Sequence, residues 1–455
     1  MLNTMNRSRW LVVAGVAVLA SATGCNWKEE LLAPQNPSVI DPASVNTPAA
    51  AEAVRVGAFG RLKSITAGGE SMWLYGGLIT DEWKSSDTFS QRNETDQRSV
   101  QTNNANVQGA YTTLQQSRGF IRTAITLLNQ YTPDSTRNIG QMYMAAGFAE
   151  LTIAENFCNG VPETYTTNGI YVYGPQLSTD SVYKRAASFL DSALARSNGA
   201  DAGSVAQKQA ALVIRARILV DQGQFAQAAA LVPVSAVPTN AQYLLTFDQA
   251  TGDNQLWSLN ISAGRYTVGD SIDPSGVVKN ALPFASAGDP RIAAVNPKKV
   301  GFDGTTSLIN QGIFAQRSDP VPLASGIDAR LIEAEAKLNA ADYAGMMTIL
   351  NALRTSAQKI GNLNVPAMAA IATTPATKDA AVTLFFREKA FWTFGRGQRL
   401  SDERRQIRQY GRTQDQVFPF GSFFKGSSYG VDVNFPVTDN EKTNPNFAGC
   451  LDRKA

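Results

Sequence analysis

Asp221-Gln222-Gly223-Gln224-Phe225-Ala226-Gln227-Ala228-Ala229 is the stretch whose reading decides the fold. Upstream, Ala211 to Val220 repeats apolar residues at helical spacing, and a second helix begins at Ala226. A small residue, then an aromatic, then alanine suits a tight turn between antiparallel helices. The small residue lets the backbones approach, and the aromatic fills the space between them. Ala329 to Leu353 repeats the design with Ala341-Asp342-Tyr343-Ala344. Neither helix of such a pair can bury its apolar face alone, so pairs stack on one another. The expected class is mostly α, a solenoid of helical hairpins.

The same period extends outward from these turns. It predicts helices over 49–65, 107–131, 139–157, 180–196 and 204–232, then over 326–338, 342–353 and 380–410. Pro133, Gly160, Gly199 and Pro233 punctuate their ends. The turns resemble those of tetratricopeptide repeats, although a generic helical hairpin fits the same residues. Between about 233 and 326 the helical period disappears. Leu256 to Leu259 and Gly312 to Phe314 read there as short strands in a loop-rich insertion.

The first residues carry a different signal. Arg7 and Arg9 precede an apolar run from Trp10 to Ala20, and small residues then lead to Cys25. That run is shorter than the roughly 20 residues a membrane span needs. Residues 1–24 therefore read as a bacterial lipoprotein signal, with Cys25 as the acylated first residue of the mature chain. An ordinary secretory signal with a chance cysteine is the alternative. Pro34, Pro37, Pro42 and Pro48 make residues 25–48 an extended tether, and residues 49–455 a single helical-repeat domain.

Composition excludes several functions. With 41 basic and 38 acidic residues the net charge is only +3, too small and too dispersed to suggest nucleic acid. Histidine is absent, which removes Ser-His-Asp and Cys-His hydrolase chemistry and histidine-based zinc sites. No phosphate-binding loop, nucleophile elbow or calcium loop is present, so no catalytic residue, metal or cofactor is expected. Acidic pairs such as Asp81 and Glu82, or Glu333 and Glu335, leave a carboxylate-only glycosidase chemically possible. Neighbouring acids are more often simply solvated.

If Cys25 is acylated, Cys158 and Cys450 remain. In an exported chain an even remainder invites a disulfide between them, with two separate buried thiols as the alternative.

Several landmarks, taken in order, resemble the SusD/RagB-type nutrient-binding lipoproteins of the outer membrane. They are the tether Leu31 to Pro37, the helix end Glu155-Asn156-Phe157-Cys158-Asn159-Gly160-Val161-Pro162, and the short helix from Val182-Tyr183 to Leu194. Ala216-Arg217-Ile218-Leu219, the turn Gly288-Asp289-Pro290-Arg291 and the helix Arg330 to Ala336 follow. Arg387-Glu388 to Asp402 and Phe435-Pro436 to Asn444-Pro445 complete the series. The resemblance covers essentially the whole mature length. Arg396-Gly397 departs from the family's usual Glu-Gly, and Arg399 is expected to be scaffold, paired with Asp402 or Glu388.

What the resemblance implies is a binding protein, not an enzyme, facing the cell exterior. It would sit over a TonB-dependent outer-membrane transporter and pass it an oligosaccharide or peptide. A helical-repeat scaffold for other envelope proteins is the alternative. Sugar-binding relatives use aromatic platforms with polar side chains on loops. The matching stretch here is Trp73, Tyr75, Asp81 and Trp83, followed by the polar loop Ser85 to Asn106. Phe284, Trp257 and Phe302 are further aromatics of the irregular region, and Phe284 joins the expected ligand-binding set.

Overall fold

A computed structural model describes residues 46–167 and 170–455 of the chain. The expected leader at 1–24, Cys25 with its expected acylation, and nearly all of the expected tether lie outside the described residues.

The first helix, α1 (Pro48–Ser64), shows why the chain changes character here. Thr47 is extended and its side chain accepts the Ala50 N–H, while Pro48 occupies the first turn, where its missing donor costs nothing. α2 (Met72–Leu78) and α3 (Ser90–Asp96) are short. The long helices are α4 (Ala105–Tyr131), α5 (Thr136–Asn156), α6 (Thr179–Arg196) and α7 (Ala202–Asp221). After them come α8 (Phe225–Leu231), α9 (Gly326–Asn339), α10 (Tyr343–Thr355), α11 (Lys378–Thr393) and α12 (Arg399–Tyr410). α1 packs on α4, and from α4 each helix packs on the next through α10, giving the stacked hairpins that the turns predict. The α5–α6 contact is close, since a Cβ on Gly147 would stand 2.6 Å from Leu190 Cγ.

Both predicted turns take the expected form. Gly223 and Ala341 adopt positive φ (75° and 57°) and end α7 and α9, and Asp342 caps α10 by accepting the Gly345 N–H. The stretch 380–410 is two helices rather than one. Gly395 and Gly397, at φ 68° and 67°, break it, and Gly397 lies against the Trp73 ring where a side chain would not fit.

The strands among the described residues are short and pair two by two, all antiparallel. Trp83–Ser85 pairs with Tyr266–Val268, which ties the insertion to the segment after α2, and Gln242–Leu245 pairs with Val321–Ser325, which brings the insertion's two ends together. Leu256 to Leu259 is not a strand. Asn254 accepts the N–H groups of Leu256 and Trp257 and starts a helical turn instead. Gly312 to Phe314 is a turn, closed by Gln311, whose side chain bonds both the N–H and the C=O of Phe314.

Cys158 and Cys450 form a disulfide across 292 residues, with Cα atoms 6.0 Å apart. It fastens the end of α5 to the C-terminal segment, where Cys158 N–H also donates to Phe435 C=O. Among the described residues no helix is long and apolar enough to cross a membrane.

Candidate functional site

The five residues expected to bind ligand are all buried. Trp83 is 1% exposed, enclosed by Phe394 at 4.8 Å and Tyr266 at 6.4 Å between ring centroids. Trp73 packs edge-on to Phe148, and Phe284 sits between Phe391 and Phe394. Tyr75 is buried beside them. A sugar stacks on a ring only if one face is open, so these residues are core and not platform. Their apolar surface is what fastens α2 and the insertion to α11 and α5.

Asp81 is also structural. Arg399 donates to it twice, at 2.7 and 2.9 Å, and the Leu282 N–H donates at 2.7 Å. The expected partners of Arg399 are corrected accordingly. Asp402 is taken by Lys389 and Arg405, and Glu388 by Arg291 and Arg354. Arg399 instead uses Asp81 and Glu403, the latter one helical turn along α12 at 3.0 Å. The Gly288-Asp289-Pro290-Arg291 turn serves the same scaffold. Arg291 is fully buried and joins Asp289 at 2.6 Å to Glu388 on α11 at 2.7 Å.

Aromatics that do face solvent include Phe89, Phe302, Tyr171 and Phe420, and the first two come together in space. Phe89 is 46% exposed and Phe302 50% exposed. Between them the Arg265 guanidinium carbon lies 5.1 Å from the Phe89 ring centre and 3.8 Å from that of Phe302. The rings are presented by three loops stitched through the backbone. Ser86 N–H donates to Arg265 C=O, Asp303 N–H to Ser86 C=O, and Phe302 N–H to Gly264 C=O, all at 2.8–3.0 Å. Gly301 permits this approach, since a Cβ there would meet Ser86 Cβ at 2.3 Å.

Below the rings runs an ion-pair chain. Asp87 receives Arg265 at 2.8 Å and Arg92 at 2.5 Å, and Arg92 in turn grips Glu70 through two bonds. Burial works against the Asp87 carboxylate, but Arg265, the Phe89 N–H and Arg92 more than offset it and hold the group below its ordinary range. Lys425 reaches in from the C-terminal segment to Asp87 C=O at 2.8 Å and to Asp303 at 2.9 Å. Glu70 opens onto a cleft of about 440 Å³ between the end of α1 and the start of α4, lined also by Arg61, Ser71, Asn106 and Gly109. The arrangement offers two fixed ring faces, charged and amide groups beside them, and a polar cleft. It suits hydroxyl-rich ligands whose C–H faces stack on rings.

Phe89 falls inside the polar loop singled out from the sequence, part of which is the helix α3, and Phe302 is among the aromatics noted there. For Phe89 the signal is isolation: it stands among Asp87, Thr88 and Ser90 with no apolar partner at strand or helix spacing, whereas Phe302, two residues from Val300, carries no such signal.

No family profile matches the chain, and no curated protein resembles it closely enough in sequence to match. Solved structures do. A surface glycan-binding protein A from Bacteroides uniformis is 14% identical over 89% of this chain and 99% of its own, with a TM-score of 0.63. A laminarin-binding SusD-like protein gives 14%, 89%, 99% and 0.60. A SusD superfamily protein from Bacteroides vulgatus gives 15%, 89%, 98% and 0.58. The molecule is a helical-hairpin protein with a loop-built surface platform. Its fold is that of the SusD superfamily.

Proposed function

We propose that this chain is an outer-membrane lipoprotein, anchored through Cys25 and facing the cell exterior, that binds an oligosaccharide and delivers it to a partner TonB-dependent transporter. The carrying observation is the pair of open rings, Phe89 and Phe302, clamped on either side of Arg265 on a SusD-like fold. Two proteins of that fold are described as binding laminarin and surface glycan, which favours carbohydrate over peptide as the ligand. The absence of histidine from the sequence supports binding without catalysis. A glycan array probed with the full chain, followed by calorimetry on the best ligand, tests the reading. Saturable binding to a glycan is expected. Binding to peptides alone, or to envelope proteins alone, would replace it with peptide capture or with scaffolding.

A further inference from the structure

A second cleft, of about 460 Å³, lies between α11, α12 and the loops at 280–282 and 412–417. Arg399 forms part of its lining although its side chain is only 5% exposed. Nε and Nη2 are spent on Asp81, and Nη2 also stands 3.0 Å from Glu403. Nη1 has no hydrogen-bond partner among the described residues. Arg399 is thus a rigid guanidinium, fixed from behind, with one edge free.

Arg387 lines the same cleft and is 41% exposed. The carboxylate nearest to it, Glu388 at 3.6 Å, is already held by Arg291 and Arg354. The third guanidinium, Arg412, is committed to Asp379, Thr383 and Gln406. The acids of the cleft are Asp379, occupied by Arg412, and Asp415 on the rim. Glu403 lies behind Arg399 with no hydrogen-bond donor on either oxygen. Burial pushes its carboxyl well above the ordinary range, which weakens its claim on Arg399. Arg399 Nη1, left over from the pair with Asp81, and Arg387, whose nearest carboxylate is shared with two other arginines, therefore line one small space in which Asp415 is the remaining acid without a partner among the described residues.

We infer that this cleft binds the carboxylate of an acidic sugar, a uronic acid unit, between Arg399 Nη1 and Arg387. Planar guanidinium groups suit a carboxylate's two oxygens better than any other side chain. The amide nitrogens of Gln406 and Gln416, which bond no described residue, supply donors for ring hydroxyls, and Phe386 supplies an apolar wall. The sugar identity rests on the carbohydrate reading above, whereas the carboxylate contact stands without it.

Calorimetry of the full chain with sodium D-glucuronate, D-glucose and sodium acetate separates the parts. Glucuronate is expected to bind at one site, with affinity falling as NaCl rises, while glucose shows no binding there. Arg387→Gln, on an exposed side chain, should keep the melting temperature and weaken glucuronate by about tenfold, the scale of one charge-assisted hydrogen bond. Acetate binding as tightly as glucuronate would reduce the site to one for simple carboxylates and overturn the sugar assignment. No glucuronate binding, or binding unchanged in Arg387→Gln, would overturn the site altogether. Because the rings of Phe89 and Phe302 are separate from this cleft, Phe89→Ala/Phe302→Ala should lose neutral glycan and keep glucuronate. Failure of either ligand alone therefore identifies which proposal is wrong.

Discussion

Glu82 gives the sharpest thermodynamic prediction. Its carboxyl is fully buried, accepts one hydrogen bond from the Gly395 N–H at 3.1 Å through Oε1, and leaves Oε2 without a donor. Desolvation raises its pKa from 4.5 to about 8, against the pull of Arg399 and Gly395 and with the help of Asp81 and Asp402. A carboxyl that binds its proton more tightly when folded leaves stability intact below pH 4.5. That stability falls as pH rises toward 8, because the unfolded chain has released a proton that the folded chain still holds. Each pH unit in that window costs about 1.4 kcal/mol, so at pH 7 the penalty is about 3 kcal/mol. Glu82→Gln retains the acceptor for Gly395 and removes the proton. It should match the parent chain near pH 4 and exceed its unfolding free energy by about 3 kcal/mol at pH 7. Urea unfolding followed by tryptophan fluorescence at several pH values measures the difference. A gap that stays constant with pH, or a variant less stable at pH 7, would refute an uncharged Glu82.

Other perturbations follow from contacts described above. Asp81→Asn leaves Arg399 buried with a weakened partner and should cost about 3–5 kcal/mol in urea unfolding. Gly147→Val drives a branched side chain into Leu190 and should cost at least about 1–3 kcal/mol, read as a lower melting temperature. Cys450→Ser removes a cross-link over 292 residues and should cost about 2–5 kcal/mol, an effect that reductant reproduces in the parent chain and not in the variant.

The helical frame was legible because it depends on local periodicity and on turn residues. The small-aromatic-alanine turns mark where α7 and α9 end, including the break after Asp221, and the eight helical stretches correspond to helices with ends displaced by only a few residues, apart from the break after Thr393. That break requires positive φ at Gly395 and Gly397, which a period count does not register. The strand expectations failed where a side chain, Asn254 or Gln311, bonded the backbone and overrode β propensity. The site was harder for a different reason. Tryptophan and tyrosine serve cores and sugar platforms alike, and sequence does not reveal which ring faces are covered. Trp73 lies in the run of apolar residues and glycines that forms the fully buried α2, and Trp83 follows Thr80-Asp81-Glu82 in a strand buried against Tyr266–Val268, whereas Phe89 and Phe302 are about half exposed. Arg399 is held in the scaffold, but by Asp81, which lies 318 residues away, beyond anything local spacing can reveal.

The account's central claim is that carbohydrate is bound on the Phe89–Arg265–Phe302 platform. Calorimetry of the full chain and of Phe89→Ala/Phe302→Ala with a laminarin oligosaccharide, or with the strongest array ligand if that differs, tests it most directly. The account predicts saturable binding by the parent chain and a loss of at least about tenfold in the variant, with an unchanged melting temperature. Equal affinity in both proteins would place the glycan elsewhere and contradict it.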